Sequence, residues 1–254
     1  MPVYATNGKQ QQCGYALGIL CMDEYLPFPP GCVNNSSSFR YPVLHKLVPG
    51  WRSADVMAGA TGKYLNTMID KARELEADGV RGIISNCGYA LQHQADLANA
   101  VKIPVALSSL CLLPMIGSSL GPNGAIGILC TAAPPLTRAF IESAGIRVRN
   151  PLVIEGLIDE PGFQTLAAAC GLAQKSDEAL ISFDSDDIER DLVRVATCMQ
   201  KNHPELGAIL FECSEFGPYA HAVQAATELP VFDFITLADY LDSATRPPTP
   251  TGFI

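Results

Sequence analysis

Two short apolar runs, each occurring twice and in the same order, constrain this chain more than any other feature. Ala16-Leu17-Gly18-Ile19-Leu20-Cys21 returns as Ala125-Ile126-Gly127-Ile128-Leu129-Cys130, an offset of 109 residues. Gly82-Ile83-Ile84-Ser85-Asn86-Cys87 returns as Ala208-Ile209-Leu210-Phe211-Glu212-Cys213, an offset of 126, about half of the 254 residues. A Pro-Val pair follows each of the second runs at one spacing, with Pro104 17 residues after Cys87 and Pro230 17 after Cys213. Short apolar runs that end at a loop read as buried parallel strands. Recurrence of both runs in order implies two similar halves.

The segments between the runs carry helical spacing. Leu65, Met68, Ile69, Ala72 and Leu75 precede a strand over 80–85, and Ile188, Leu192, Ala196 and Met199 precede one over 208–211. Asp186 and Glu189 fit a capping box for the second of these helices. Further helices are expected over 95–101 and 221–228. Alternating strand and helix means α/β with parallel sheets. The expected architecture is two pseudo-symmetric, flavodoxin-like domains with the active site between them. The first spans 1–114 plus 240–254 and the second 115–239. Gly117–Gly124 reads as a flexible junction, and the Pro-rich tail after Thr245 as surface.

Composition narrows the function classes. Hydrophobic residues make up 48% and charged residues 17%, which fits a globular core and not disorder. A net charge of -9 argues against nucleic acid and against a polybasic membrane contact. The most apolar stretch, 101–116, is too short and too broken by Pro and Ser to span a bilayer. Nine cysteines are an odd number scattered along a long chain, so no disulfide framework is expected. The polar start, 1–12, lacks the apolar core of a secretory leader. The expectation is a cytosolic, reduced protein with free thiols.

Several motifs carry little weight. Gly59-Ala60-Thr61-Gly62-Lys63 lacks phosphate-loop spacing and has Tyr64 at the hydroxyl position. Gly117-Ser118-Ser119-Leu120-Gly121 matches a nucleophile elbow in letters only, because Pro122-Asn123-Gly124 follows in place of a helix. The four histidines are dispersed and no Cys-x-x-Cys occurs, so no metal site is expected. Cys13, Cys32, Cys111, Cys170 and Cys198 read as packing residues. Cys21 and Cys130 end matched strands and are weaker candidates for the crevice.

Cys87 and Cys213 stand apart. Each follows a buried strand at its carboxyl end, where open α/β sheets place their ligands, and each precedes a helix. A helix start favours the thiolate through the macrodipole. The amides after each cysteine are donors suited to a carboxylate. Two thiols related by a pseudo-twofold axis suit proton removal from one face of a carbon and delivery to the other.

These residues resemble the aspartate/glutamate racemase superfamily, which includes hydantoin racemases, maleate isomerases and arylmalonate decarboxylases. The carriers are Gly18-Ile19-Leu20, Asn86-Cys87-Gly88-Tyr89, Gly127-Ile128-Leu129-Cys130-Thr131 and Glu212-Cys213-Ser214-Glu215. The resemblance implies Cys87 and Cys213 as paired acid and base, with no pyridoxal phosphate and no metal. Asn86, Gly88, Tyr89, Thr131, Ser214 and Glu215 would bind and orient the substrate, with Tyr89 closing over it or stabilising an enolate-like oxygen. The Asn and Thr that follow the first cysteine in the amino-acid racemases are Gly88 and Tyr89 here.

The implied function is a cofactor-independent racemase or epimerase acting next to a carboxylate or carbonyl. The alternatives are a maleate-type isomerase, an arylmalonate-type decarboxylase and a non-enzymatic binder of small acids. No Lys or Arg stands beside either motif, and Glu212 and Glu215 flank Cys213. The side chain of the substrate should therefore be neutral or cationic, as in an amino acid or a hydantoin-like ring. The loop over 22–30 reads either as a lid or as a rigid surface crossing. A homodimer is the family's usual assembly.

Overall fold

The computed structural model describes residues 12–59, 62–172 and 182–249. The start of the chain, positions 60 and 61 of the Gly59–Lys63 run, and the last five residues of the Pro-rich tail lie outside them.

Four parallel strands form the first sheet: β1 (Leu17–Cys21), β2 (Val43–Leu47), β3 (Ile83–Ser85) and β4 (Val105–Ala106), in the order β2-β1-β3-β4. Another four form the second: β5 (Ala125–Cys130), β6 (Leu152–Gly156), β7 (Leu206–Phe211) and β8 (Val231–Phe232), in the order β6-β5-β7-β8. Both orders follow the flavodoxin-like 2-1-3-4 pattern. The helices are α1 (Ser53–Met57), α2 (Leu65–Ala77), α3 (Gln94–Ala100), α4 (Leu113–Leu120), α5 (Arg138–Ser143), α6 (Gln164–Ala169), α7 (Ser185–Asn202), α8 (Ala220–Thr227) and α9 (Phe234–Thr245). Among the described residues, no helix is long and apolar enough to cross a membrane.

The repeated runs pair with each other in one register. Gly18 sits beside Ile83 in the first sheet, and Gly127 beside Ile209 in the second. The Pro-Val strands follow suit, with Ile83 beside Val105 and Ile209 beside Val231. The repeat of the sequence is thus a repeat of the structure. Gly18 and Gly127 let a helix lie close on the central strand. A Cβ at Gly18 would stand 2.8 Å from Leu75 Cδ1 of α2, and one at Gly127 2.5 Å from Met199 Sδ of α7.

The halves share apolar packing. Phe234, Leu237, Ala238 and Leu241 of α9 join a cluster that holds Leu17 and Ile19 of β1 together with Ile126 and Ile128 of β5. The last helix therefore packs back towards the first sheet. It is capped by Asp233, whose carboxylate accepts from Thr236 N at 2.8 Å.

Two local expectations need correction. Helix α7 begins at Ser185, and its cap is Asp184, which accepts from Asp186 N at 2.9 Å. The acid nearest the first free amide caps, so Asp186 and Glu189 lie inside the helix and form no capping box. The segment 117–124 is not a flexible junction either. Its first four residues complete α4, and the chain turns only at Gly121, with φ of 73°. The buried Asn150 amide fixes that turn, donating to Gly121 O and Gly124 O at 2.7 Å each. Gly117 is small because Asn150 Oδ1 would lie 2.4 Å from a Cβ there.

Candidate active site

The carboxyl ends of β1, β3, β5 and β7 meet around one small cavity. It is of small-molecule size. All eight residues expected at the site line it: Asn86, Cys87, Gly88, Tyr89, Thr131, Cys213, Ser214 and Glu215. Met22, Glu24, Leu26 and Phe28 form one wall, with Tyr25 between them turned out to solvent. The loop after β1 is therefore a wall of the site. It is anchored at Gly31, whose φ of 103° is a left-handed conformation in which a Cβ would lie 2.6 Å from Pro218 Cα. Residues from α1 and from α6 and its surroundings, among them Ser53, Met57, Phe163 and Cys170, complete the enclosure.

Hydrogen bonds to the main chain join the halves near the cavity. Ser214 Oγ donates to Asn86 O at 2.7 Å, Ser109 Oγ to Phe211 O at 2.7 Å, and Tyr89 Oη to Ala132 O. The Tyr89 hydroxyl is thus committed to the main chain of the other half, and its ring packs 6.0 Å from Phe140. This removes the expected enolate contact. Asn86 Oδ1 accepts from Met22 N at 3.0 Å, which orients the amide and leaves Nδ2 as a donor. A buried polar group needs such partners to offset lost hydration.

The thiols behave differently from the expectation. Burial pushes Cys87 well above the ordinary thiol range, and the Glu212 charge pushes it further, against the lowering effect of the Tyr89 and Ala90 amides. Burial and the charges of Glu215 and Glu212 likewise raise Cys213, opposed by the Thr131 hydroxyl and the Glu215 amide. The helix-start effect exists, but desolvation in the cavity exceeds it. Cys21 and Cys130 do not line the cavity. Their thiols turn to Ile19 O at 3.5 Å and Glu155 O at 3.4 Å.

Cys32 and Cys170 are more than packing. Cys32 Sγ donates to Glu215 Oε2 at 3.3 Å. Cys170 lines the cavity near Glu24, which accepts from Ser53 N at 2.7 Å and Ser53 Oγ at 3.0 Å.

Sequence reasoning did not place Glu24 or Glu212 in the site. Both line the cavity with Glu215, and burial raises all three carboxyls, Glu212 to about 8 and Glu215 to about 7. Among the described residues, no Lys, Arg or His lines it. Nor does any group of three or more His, Cys, Asp or Glu side chains stand ready for a metal ion. The visible signal for Glu212 was one acid ending an otherwise apolar strand.

The fold is that of the racemase-type enzymes. An aspartate racemase homologue from Pyrococcus horikoshii aligns over 91% of this chain and 98% of its own, with a TM-score of 0.56 and 12% identity. Arylmalonate decarboxylase aligns over 92% and 94%, with a TM-score of 0.54 and 12% identity. Allantoin racemase from Pseudomonas fluorescens aligns over 94% and 99%, with a TM-score of 0.53 and 13% identity.

No family model matches the chain. Curated relatives are nearer in sequence. A dimethylsulfoniopropionate lyase from Durusdinium sp. clade D is 31% identical over 240 residues, 92% of this chain and 76% of that protein. Dimethylsulfoniopropionate lyase 7 from Emiliania huxleyi is 32% identical over 247 residues, 93% of this chain and 69% of that protein. On that identity and coverage, this chain belongs to the dimethylsulfoniopropionate lyase family.

Proposed function

We propose that this protein is a lyase that splits dimethylsulfoniopropionate into dimethyl sulfide and acrylate by β-elimination. The observation that carries the reading is the charge of the cavity. Three thiols and three carboxyls face a space whose described lining holds no basic side chain. A second carboxylate, as in malonate or maleate chemistry, would find no basic partner there and would face the acids of the wall. A molecule with one carboxylate and one cationic end matches it.

The elimination balances with residues of this chain alone. One cavity cysteine first gives its thiol proton to solvent as the cationic end of the substrate offsets the burial penalty; the thiolate then takes a proton from the carbon next to the carboxylate, forming an S–H bond. The released pair becomes the carbon–carbon double bond. The carbon–sulfur bond breaks, and its pair stays on the sulfonium sulfur, which departs as neutral dimethyl sulfide. A neutral leaving group needs no acid to protonate it. Asn86 Nδ2 and the Thr131 hydroxyl are the donors we assign to the substrate carboxylate. Both groups are on the cavity wall, and the Asn86 amide is already oriented by Met22. The apolar Met22, Phe28, Met57 and Phe163 suit the two methyl groups, and the ring faces attract a cation.

Racemisation is the second reading, favoured by the presence of one thiol from each half on the same cavity. It shares the first step, removal of a proton beside a carboxylate, and differs in the fate of the electron pair left on that carbon. One incubation in D₂O separates them. The protein is given dimethylsulfoniopropionate, amino acids and hydantoins; headspace dimethyl sulfide and α-proton NMR are recorded. The lyase reading expects dimethyl sulfide and acrylate in equal amounts. Absence of dimethyl sulfide, with deuterium entering an amino acid or hydantoin, would overturn it in favour of the racemase.

A further inference from the structure

The Glu212 carboxyl is an anomaly that the elimination does not use. The residue is 1% exposed, and neither carboxylate oxygen has a hydrogen-bond partner. The Thr131 amide lies in its direction and favours ionisation without forming a hydrogen bond. The other two acids of the cavity are held: Glu24 by Ser53, and Glu215 by Cys32, with Ser214 Oγ 3.2 Å from its Oε1. Glu212 lies instead against Gly88, where a Cβ would stand 2.0 Å from Oε1 and 2.5 Å from its carbonyl oxygen. Gly88 therefore serves to admit this carboxyl between the two thiol-bearing segments. A buried acid without partners costs several kcal/mol, so a fold keeps one where a ligand supplies the missing charge.

We propose that Glu212 is the charge determinant of an onium-carboxylate site, selecting small zwitterions with a sulfonium or quaternary ammonium centre over neutral molecules of the same shape. This rests on the lyase reading for its natural substrate and extends it to onium carboxylates as a ligand class. Glu212 acts at short range through the cavity wall; it neither takes the substrate proton nor touches the leaving group. Attraction between unit charges a few ångströms apart at a protein site is strong enough for a tenfold or larger preference. The groups facing Glu212 from neighbouring segments are Cys87, Tyr89, Cys130 and Cys213, all held neutral by burial across the physiological range. Burial raises Glu212 to about 8. An arriving cation lowers that value, so binding releases a proton near pH 7, and affinity climbs as pH rises towards 9.

The test uses two ligands of one shape. Calorimetry on the full chain compares 3-(trimethylammonio)propionate, the onium probe, with 4,4-dimethylpentanoate, its carbon isostere, which carries the same carboxylate and no charge at the other end. The wild type should favour the onium by tenfold or more and release a proton on binding only that ligand. Glu212→Gln should lose at least tenfold of the preference, and the gain in affinity between pH 7 and 9, while binding 4,4-dimethylpentanoate within about twofold of wild type. Glu212→Asp should keep part of both. Equal onium preference in Glu212→Gln, or equal loss of both ligands, refutes the proposal. Should the variant not fold, wild-type onium binding without proton release between pH 6 and 8 refutes it as well. These are binding readouts, so a wild type that makes no dimethyl sulfide overturns the lyase reading alone.

Discussion

Replacing Glu212 by Gln should make the protein more stable as the pH rises, and the size of the effect can be worked from the structure. Burial raises this carboxyl from 4.5 to about 8. As pH rises from about 4.5, the unfolded chain loses the proton that the native state still holds. Stability therefore falls across the window from about 4.5 to about 8, at about 1.4 kcal/mol per pH unit. The deficit reaches about 3 kcal/mol at pH 7 and about 5 kcal/mol above pH 8. Gln is nearly the same size, carries no charge in either state, and has no such deficit. Its amide finds no partners in the native site, a cost of about 1–3 kcal/mol that does not vary with pH. Urea unfolding of both proteins at pH 5, 7 and 9 reads the difference. The gap between variant and wild type should move in favour of Gln by several kcal/mol from pH 5 to pH 9. A gap that stays constant with pH would show that Glu212 is not penalised by burial and would remove the ground for its role in binding cations.

Gly88→Ala should destabilise by about 1–3 kcal/mol, because its Cβ would fall 2.0 Å from Glu212 Oε1; thermal unfolding reads it, and Glu212→Ala in the same chain should recover part of the loss. Gly31→Ala should lower lyase turnover more than it lowers the melting temperature, since it strains the anchor of the 22–30 wall at φ of 103° while leaving both sheets intact. In the ligand-free protein, iodoacetamide at pH 8 should label the exposed Cys13 and Cys198 well before Cys87 and Cys213, whose thiols burial keeps protonated; peptide mass mapping decides, and labelling of Cys87 as fast as Cys13 would show that its thiol is not held protonated.

The parts of the fold legible in the sequence are those where one force dominates. The central strands β1, β5 and β7 are apolar throughout, and β3 is apolar up to the buried Ser85, because both faces are covered, and their repetition revealed the two halves. Strands β2 and β6 escaped notice because each is an outer strand only partly buried, with His45 and Lys46 in one and Glu155 in the other. The cavity was legible as a place, since strand ends and cysteines mark it. The lack of basic residues beside either motif and the acids flanking Cys213 were legible too, but the thiol shift was not. The direction of the thiol shift depends on how completely the 22–30 wall and α1 and α6 exclude water, which no local spacing records.

The two halves differ where their likeness would be expected to matter most. At the offset of 126, Asn86-Cys87-Gly88-Tyr89 faces Glu212-Cys213-Ser214-Glu215. The first segment is neutral beside its thiol, and the second carries an acid on each side of its own. A catalyst that interconverts mirror images has to treat both faces of one carbon alike, and the fold supplies that with its paired thiols. An elimination acts on one face and expels a group from the neighbouring carbon, so it gains nothing from symmetry and much from a charge placed on one side. Gly88, matched to Ser214, leaves the room that the Glu212 carboxyl fills. The asymmetry is thus built in two places at once, by the acid in one half and by the missing side chain in the other. On the lyase proposal, it turns a symmetric scaffold towards a substrate with unlike ends.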